Sequence, residues 1–416
     1  MKKVICTLLV VCMLVGLCGC TKTPYESKAE KVPCPVDPYI YDEVDLNDNF
    51  KNVTADFSME LFGRTYKEGE NSLVSPLSVM LCLGMVGNGV AEDTLKEFEA
   101  VLGQELTMED LNLYYATYRN MLMETSKGDL SIANSIWIRD VSEFVVKTEF
   151  TKKNMTYYDA QIYKAPFDGT TVNDINNWVK DNTNGMIPGI IDELSPEAMM
   201  VLLNALAFEG EWVVPYYETQ VNDTDFTNIQ GKIETVEGMY GTERVYIEDE
   251  NTTGFIKNYK NGFSFVVFLP DEDVDFDEYV AAFTGEKYLN LVNNAENVSV
   301  DTMLPKFKYS YEASLNKTMM DMGIKSAFDS AKADFSEMFE ANDALNRLYI
   351  SEVIHKTYIE VGEKGTKAAA VTAVIMDGNS MPLENKKVIC DRPFVYAIVD
   401  GSTMLPVFIG SISTIS

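Results

Sequence analysis

Early in the body of this chain, apolar residues recur at helical spacing; later they come in continuous or alternating runs. Asn52 to Tyr66 places Val53, Phe57, Leu61 and Phe62 on one face, as an amphipathic helix requires. A second helix is predicted from Ser75-Pro76, with the serine as cap and the proline at the first helical position. It runs through Val79, Met80, Leu83 and Val86 to Gly87. Thr94 to Leu102 predicts a third helix, stopped by Gly103. Asn173 to Lys180 predicts a short one, ended by Thr183-Asn184-Gly185. Strands are predicted elsewhere: Leu130 to Arg139, Met199 to Phe208 (broken by Asn204) and Phe263 to Leu269, which is apolar enough to be buried on both faces. Tyr349 to Val361 alternates as a half-buried strand does, and Val388 to Cys390, Phe394 to Val399 and Leu405 to Ile409 close the chain as three short strands. Helices feeding strands that are mostly not separated by helices predict an α+β class. No linker, repeat or low-complexity block follows residue 50, so residues 49–416 are predicted to form one domain.

Composition changes this picture little. Of 416 residues, 46% are hydrophobic, ample for a large core. The formal net charge of -30 disfavours nucleic acid and anionic lipid as partners. The N-terminus adds more. Lys2 and Lys3 precede an apolar run from Val4 to Leu17, which is too short to span a membrane comfortably. Leu17-Cys18-Gly19-Cys20 then resembles the lipobox of bacterial lipoproteins. That resemblance implies a signal peptide over residues 1–19, a diacylglycerol on the Cys20 thiol and a place outside the cytoplasm, on a membrane or cell surface. The alternative is an ordinary secretory signal. Residues 20–48 are polar and carry Pro24, Pro33, Pro35 and Pro38, which predicts a tether. Beyond Cys20, the cysteines Cys34, Cys82 and Cys390 give neither a disulfide framework nor zinc spacing, and Cys82 reads as a buried free thiol.

Catalytic chemistry is not evident. His355, the one histidine, shares its strand side with Val353 and Ile359, so it is expected to face inward in a structural role. The G-x-S-x-G elbow, the zinc-protease helix motif, the phosphate loop and the dinucleotide fingerprint are all missing. Nothing implies a cofactor or a metal.

The stretch from Glu360 to Pro382 is unusual. About ten consecutive positions are small, β-branched or aliphatic. If extended, one face holds Thr366, Ala368, Ala370, Thr372, Val374 and Met376, with no charge; Lys367 and Asp377 share the other. Such a segment could enter a sheet with its uncharged face on a core. A helix or fixed strand with an alanine-rich patch is the alternative.

Glu363-Lys364-Gly365-Thr366-Lys367-Ala368-Ala369-Ala370 resembles the reactive-loop hinge of the serpins. Further stretches resemble that family in order: Asn71 to Ser78, Leu130-Ser131-Ile132-Ala133-Asn134, Asn204 to Trp212, Leu304-Pro305-Lys306-Phe307, Asp334-Phe335-Ser336, Asp391-Arg392-Pro393-Phe394 and Phe408-Ile409-Gly410. The resemblance spans nearly all of residues 50–416. It implies the serpin fold: three β-sheets, eight or nine helices and an exposed reactive-centre loop. It also implies a monomeric, non-enzymatic endopeptidase inhibitor, whose cleaved loop enters the main sheet while the protease is held as an acyl-enzyme. A non-inhibitory member acting as a surface binding module is the alternative.

Carried onto this chain, the hinge is Glu363, Gly365, Thr366, Ala368, Ala369 and Ala370, with Thr366 facing inward where insertion starts. Lys367 departs from the commoner acidic residue but points outward. Ser75, Ser78, Asn204 and His355 match a polar cluster under the sheet's centre, and Trp212 matches its top beside Glu363 and Gly365. The scissile bond counts to Asn379-Ser380, with Ile375 and Met376 as alternatives. The first suits an asparagine-specific cysteine protease, the others elastase- or chymotrypsin-like serine proteases. No arginine or lysine lies between Lys367 and Lys386, so trypsin-like targets are disfavoured.

Overall fold

The computed structural model describes residues 27–33, 39–142, 144–196, 198–340, 348–366 and 385–415. Among them are nine α-helices. These are α1 (Asp48–Thr65), α2 (Pro76–Gly87), α3 (Glu92–Leu102), α4 (Met108–Ser126), α5 (Thr148–Tyr158), α6 (Gly169–Asn182), α7 (Phe276–Ala281), α8 (Gly285–Asn293) and α9 (Asn316–Met322).

Side-chain caps explain where the helices begin. α1 starts before the expected Asn52 because the Asn47 side chain accepts a hydrogen bond from Phe50 N at 3.0 Å. α2 starts as predicted, with Ser75 Oγ accepting from Ser78 N at 3.2 Å. Nearly every side of α2 is buried, so it is a core helix rather than an amphipathic one. α6 is longer than the expected 173–180. Gly169, Thr170 and Thr171 are weak helix formers, but Asp168 caps them by accepting from Thr170 N at 2.8 Å. Asn184 and Gly185, with φ of 50° and 76°, take the left-handed conformation that terminates it.

The largest sheet lies in two halves. One runs in the order β1 (Glu30–Lys31), β4 (Gln161–Ala165), β3 (Leu130–Arg139), β5 (Met200–Phe208). The other runs β13 (Phe307–Ser314), β14 (Ile354–Gly362), β15 (Gly365–Thr366), β6 (Gly210–Glu211). β5 and β6 follow each other in the chain, so the halves join at that end. Among the described residues no ladder links β5 to β14. A second sheet runs β2 (Ser72–Val74), β18 (Pro406–Ile412), β17 (Phe394–Asp400), β11 (Phe263–Pro270), β10 (Thr252–Asn258), β9 (Tyr246–Glu248). A third runs β16 (Lys386–Ile389), β12 (Val300–Pro305), β8 (Ile233–Glu243), β7 (Val221–Thr227). With the halves counted together, this is the expected three-sheet α+β architecture. β11, β17 and β18 are buried throughout, which accounts for the continuous apolar runs that predicted them.

Two expectations change. The strand expected from Tyr349 begins at Ile354, because Val353 N donates to Asn316 Oδ1 at 2.7 Å and Val353 O accepts from Leu315 N at 2.8 Å. The stretch expected to be a tether as far as residue 48 already lies on the body at Lys28, whose Nζ is 3.6 Å from Asp168. β1 pairs antiparallel with β4, Val32 N donates to Ile162 O at 2.7 Å, and Tyr39 stacks on Tyr157 at 6.1 Å. The physical reason is an edge strand with unpaired backbone groups that an extended polar segment can complete. Cys390 is buried and free; Cys82 is free but only partly buried. Cys20, Cys34 and residues 1–19 lie outside the described residues.

Candidate functional site: a split sheet and its hinge

Two residues of the expected hinge lie within the sheet. Gly365 and Thr366 pair with Gly362 and Val361 of β14 on one side and with Glu211 and Gly210 of β6 on the other. Gly365 has a φ of 154°, and a Cβ there would lie 1.9 Å from the Gly210 carbonyl oxygen, so only glycine fits. Thr366 faces inward as expected. It is 3% exposed, and its hydroxyl lies 2.5 Å from the Tyr259 hydroxyl.

The turn between β14 and β15 is held from one side. Trp212 N donates to Lys364 O at 2.8 Å, the Trp212 indole Nε1 to Gly362 O at 2.9 Å, and Tyr216 N to Glu363 O at 2.8 Å. Trp212 is fully buried and stacks on Tyr259 at 4.3 Å. Lys306 Nζ lies 2.5 Å from Glu363 and 3.1 Å from Glu237. Burial works against the Glu363 carboxylate, but the Lys306 ammonium outweighs it and holds the group below the usual carboxylate range.

Further down, a small cavity of about 40 Å³ is lined by residues of both halves. Ser75, Ser78, Cys82, Asn204 and His355 are among its lining residues, together with Leu202 to Leu206 of β5 and Ile354 to Thr357 of β14. His355 is 6% exposed, and its Nε2 accepts from Ser75 N at 3.0 Å. Burial pushes its pKa down to about 4, so it is a neutral structural acceptor. Ser75 Oγ donates to Val407 O at 2.8 Å. Asn204 is not bonded to these groups; its Nδ2 donates to Asn134 Oδ1 at 2.8 Å, and Asn134 Nδ2 donates to Tyr158 O at 2.7 Å. Asn204 Oδ1 is buried with no partner among the described residues.

The structure therefore groups Ser75, Ser78, Asn204 and His355 around one cavity, and Trp212, Glu363, Gly365 and Thr366 at the joined end. Ala368, Ala369, Ala370, Ile375, Met376, Asn379 and Ser380 lie outside the described residues. Sequence reasoning quoted Asn134 and Lys306 within motifs without their partners, and it missed Tyr259 and Lys257 altogether. A lysine inside the otherwise apolar Phe255-Ile256-Lys257 was a readable signal for the latter.

A family model described as Serpin (serine protease inhibitor) matches residues 52–415. The chain belongs to the serpin family. It is 29% identical over 381 residues to leukocyte elastase inhibitor A of Rattus norvegicus, covering 86% of this chain and 97% of that one. Among solved structures it is similar to the thermophilic serpin tengpin in the native state, at 43% identity and TM-score 0.87, covering 93% and 100% of the two chains. Tengpin in the latent state matches at 45% identity and TM-score 0.80, covering 90% and 100%. Members of this family are generally protease inhibitors rather than enzymes.

Proposed function

We propose that this serpin inhibits endopeptidases as a suicide substrate. The observation that carries the reading is that Gly365 and Thr366 pair between β14 and β6, while among the described residues no ladder links β5 to β14 below them. A target nucleophile attacks a loop carbonyl, the peptide bond breaks, the new amine leaves, and an ester or thioester joins protease to loop. The strand then extends from Thr366 down the gap. Each ladder bond formed contributes roughly 0.5–1.5 kcal/mol net. Burial of the uncharged face adds about 25 cal/mol per Å² of apolar area. Thr366, Ala368 and Ala370 are small and uncharged, and no proline lies between Glu363 and Met381, so nothing in the residue types stalls insertion. The loop residues favour elastase- or chymotrypsin-like serine proteases, or an asparagine-specific cysteine protease, as targets.

The test is incubation with an elastase, a chymotrypsin and a papain-like protease, followed by denaturing gels and thermal unfolding. A covalent band at the summed mass is expected, as is a large rise in unfolding temperature after loop cleavage. Absence of a complex with every protease, together with an unchanged unfolding temperature after cleavage, would remove the reading. We also propose that the chain is lipid-anchored through Cys20 outside the cytoplasm. Cys20→Ser should move it from the membrane to the soluble fraction; an unchanged membrane fraction counts against the anchor.

A further inference from the structure

Behind the residues that hold the turn between β14 and β15 lies a buried ion pair. Lys257, in β10, is 2% exposed. Its Nζ lies 2.6 Å from Glu243 Oε1, at the end of β8, and donates to Val214 O at 2.9 Å. The ammonium also lies 4.2 Å from the centroid of the Tyr216 ring and 5.4 Å from that of Trp212. Trp212 and Tyr216 are the two residues whose N–H groups bind the carbonyls of Gly362, Glu363 and Lys364.

A lysine here is expensive. Phe255, Ile256 and Tyr259 around it are buried, and the ammonium has lost its water. A carboxylate, a carbonyl and two ring faces offset that loss. What the arrangement adds is position. Val213 and Val214, between the two gripping residues, are 53% and 50% exposed, so packing does little to fix them. Val213 N reaches Asn258 O at 2.9 Å, and Lys257 holds the next carbonyl from inside.

We propose that Lys257, held by Glu243, is a positioning residue for strand insertion: it fixes the Trp212–Tyr216 segment and so keeps Gly365 and Thr366 seated as the start of the new strand. The inference rests on the insertion reading above. With two residues already ordered, the following ones add to an existing strand end and the cost of starting one is avoided.

Lys257→Met keeps the length and the apolar stem and removes the charge. Hydrogen exchange read by mass spectrometry separates the hinge from the rest of the molecule. Peptides covering residues 210–217 and 360–366 should exchange at least about tenfold faster in the variant, while those covering β17 and β18 keep their rates. With a protease that forms the complex, the outcome should shift several-fold from covalent complex towards cleaved, free protein, at an unchanged rate of loop cleavage. Unchanged exchange at 210–217 and 360–366 overturns the proposal. So does faster exchange everywhere, which would make Lys257 a general packing element. If wild type forms no complex with any protease, the exchange arm still decides whether Lys257 anchors the hinge. Should Lys257→Met fail to fold because Glu243 is left buried and unpaired, Lys257→Met/Glu243→Gln removes both charges and is read the same way.

Discussion

Thr366→Arg places a charge at the first inward position of the strand proposed to insert. Thr366 is 3% exposed and bonded to the buried Tyr259 hydroxyl, so a guanidinium there is buried where a small hydroxyl now packs. An unpaired charge held there costs several kcal/mol, of the order of 3–5 kcal/mol. The alternative for the chain is to withdraw Gly365 and Thr366 from between β14 and β6, which gives up their pairings on both sides. At about 0.5–1.5 kcal/mol per hydrogen bond, that withdrawal costs roughly 2–5 kcal/mol. The two costs are similar, so either way insertion begins from a worse position by some 3 kcal/mol, or about a hundredfold in rate. Hydrolysis of the acyl-enzyme then wins. The assay is the ratio of covalent complex to cleaved inhibitor on denaturing gels at fixed protease. Complex should fall to a few per cent or less of wild type, with loop cleavage as fast as before. Thr366→Val, which keeps the shape and loses the hydroxyl, should retain most of it. An arginine variant with wild-type complex yield would refute insertion through Thr366.

Gly365→Ala tests the same end of the sheet by shape alone. The added Cβ meets the Gly210 backbone oxygen at 1.9 Å, which cannot swing aside, so loop cleavage should persist while complex is lost; full complex yield would contradict the seated hinge. His355 gives stability a pH dependence. It is neutral in the fold, with its pKa pushed down to about 4 from 6.5 by burial. Between those values the unfolded chain binds the extra proton, so stability is complete above about pH 6.5 and falls by about 3 kcal/mol as pH drops towards 4. Urea unfolding of wild type and His355→Gln at pH 7 and pH 4.5 measures it; equal losses in both proteins would show that the histidine is not the cause.

Much of this was legible because local physics set it. The α2 start at Ser75-Pro76, the β3 run and the alternation that turns His355 inward each follow from neighbours a few residues away. Reading failed in two ways. The first turn of α6 has a local cap, the Asp168 carboxylate, but Gly169 to Thr171 are weak helix formers that hid it; residues 349–353 lose their strand to a distant partner, Asn316. The expected tether could not be read as an edge strand, because nothing between Thr21 and Asp48 says that β4 has a free side.

The sequence by itself determined the family, the small or uncharged residues at alternate positions from Thr366 to Met376 and the scarcity of catalytic motifs. Residue type and alternation decide those, whatever the surroundings. Tertiary structure alone decided that, among the described residues, no ladder joins β5 to β14, that Gly365 and Thr366 pair between β14 and β6, and that a buried Lys257–Glu243 pair stands behind Trp212 and Tyr216. The physical reason is that a gap between strands and the seating of a hinge are relations between segments some 150 residues apart, such as Trp212 and Gly362. No local pattern encodes the distance between them.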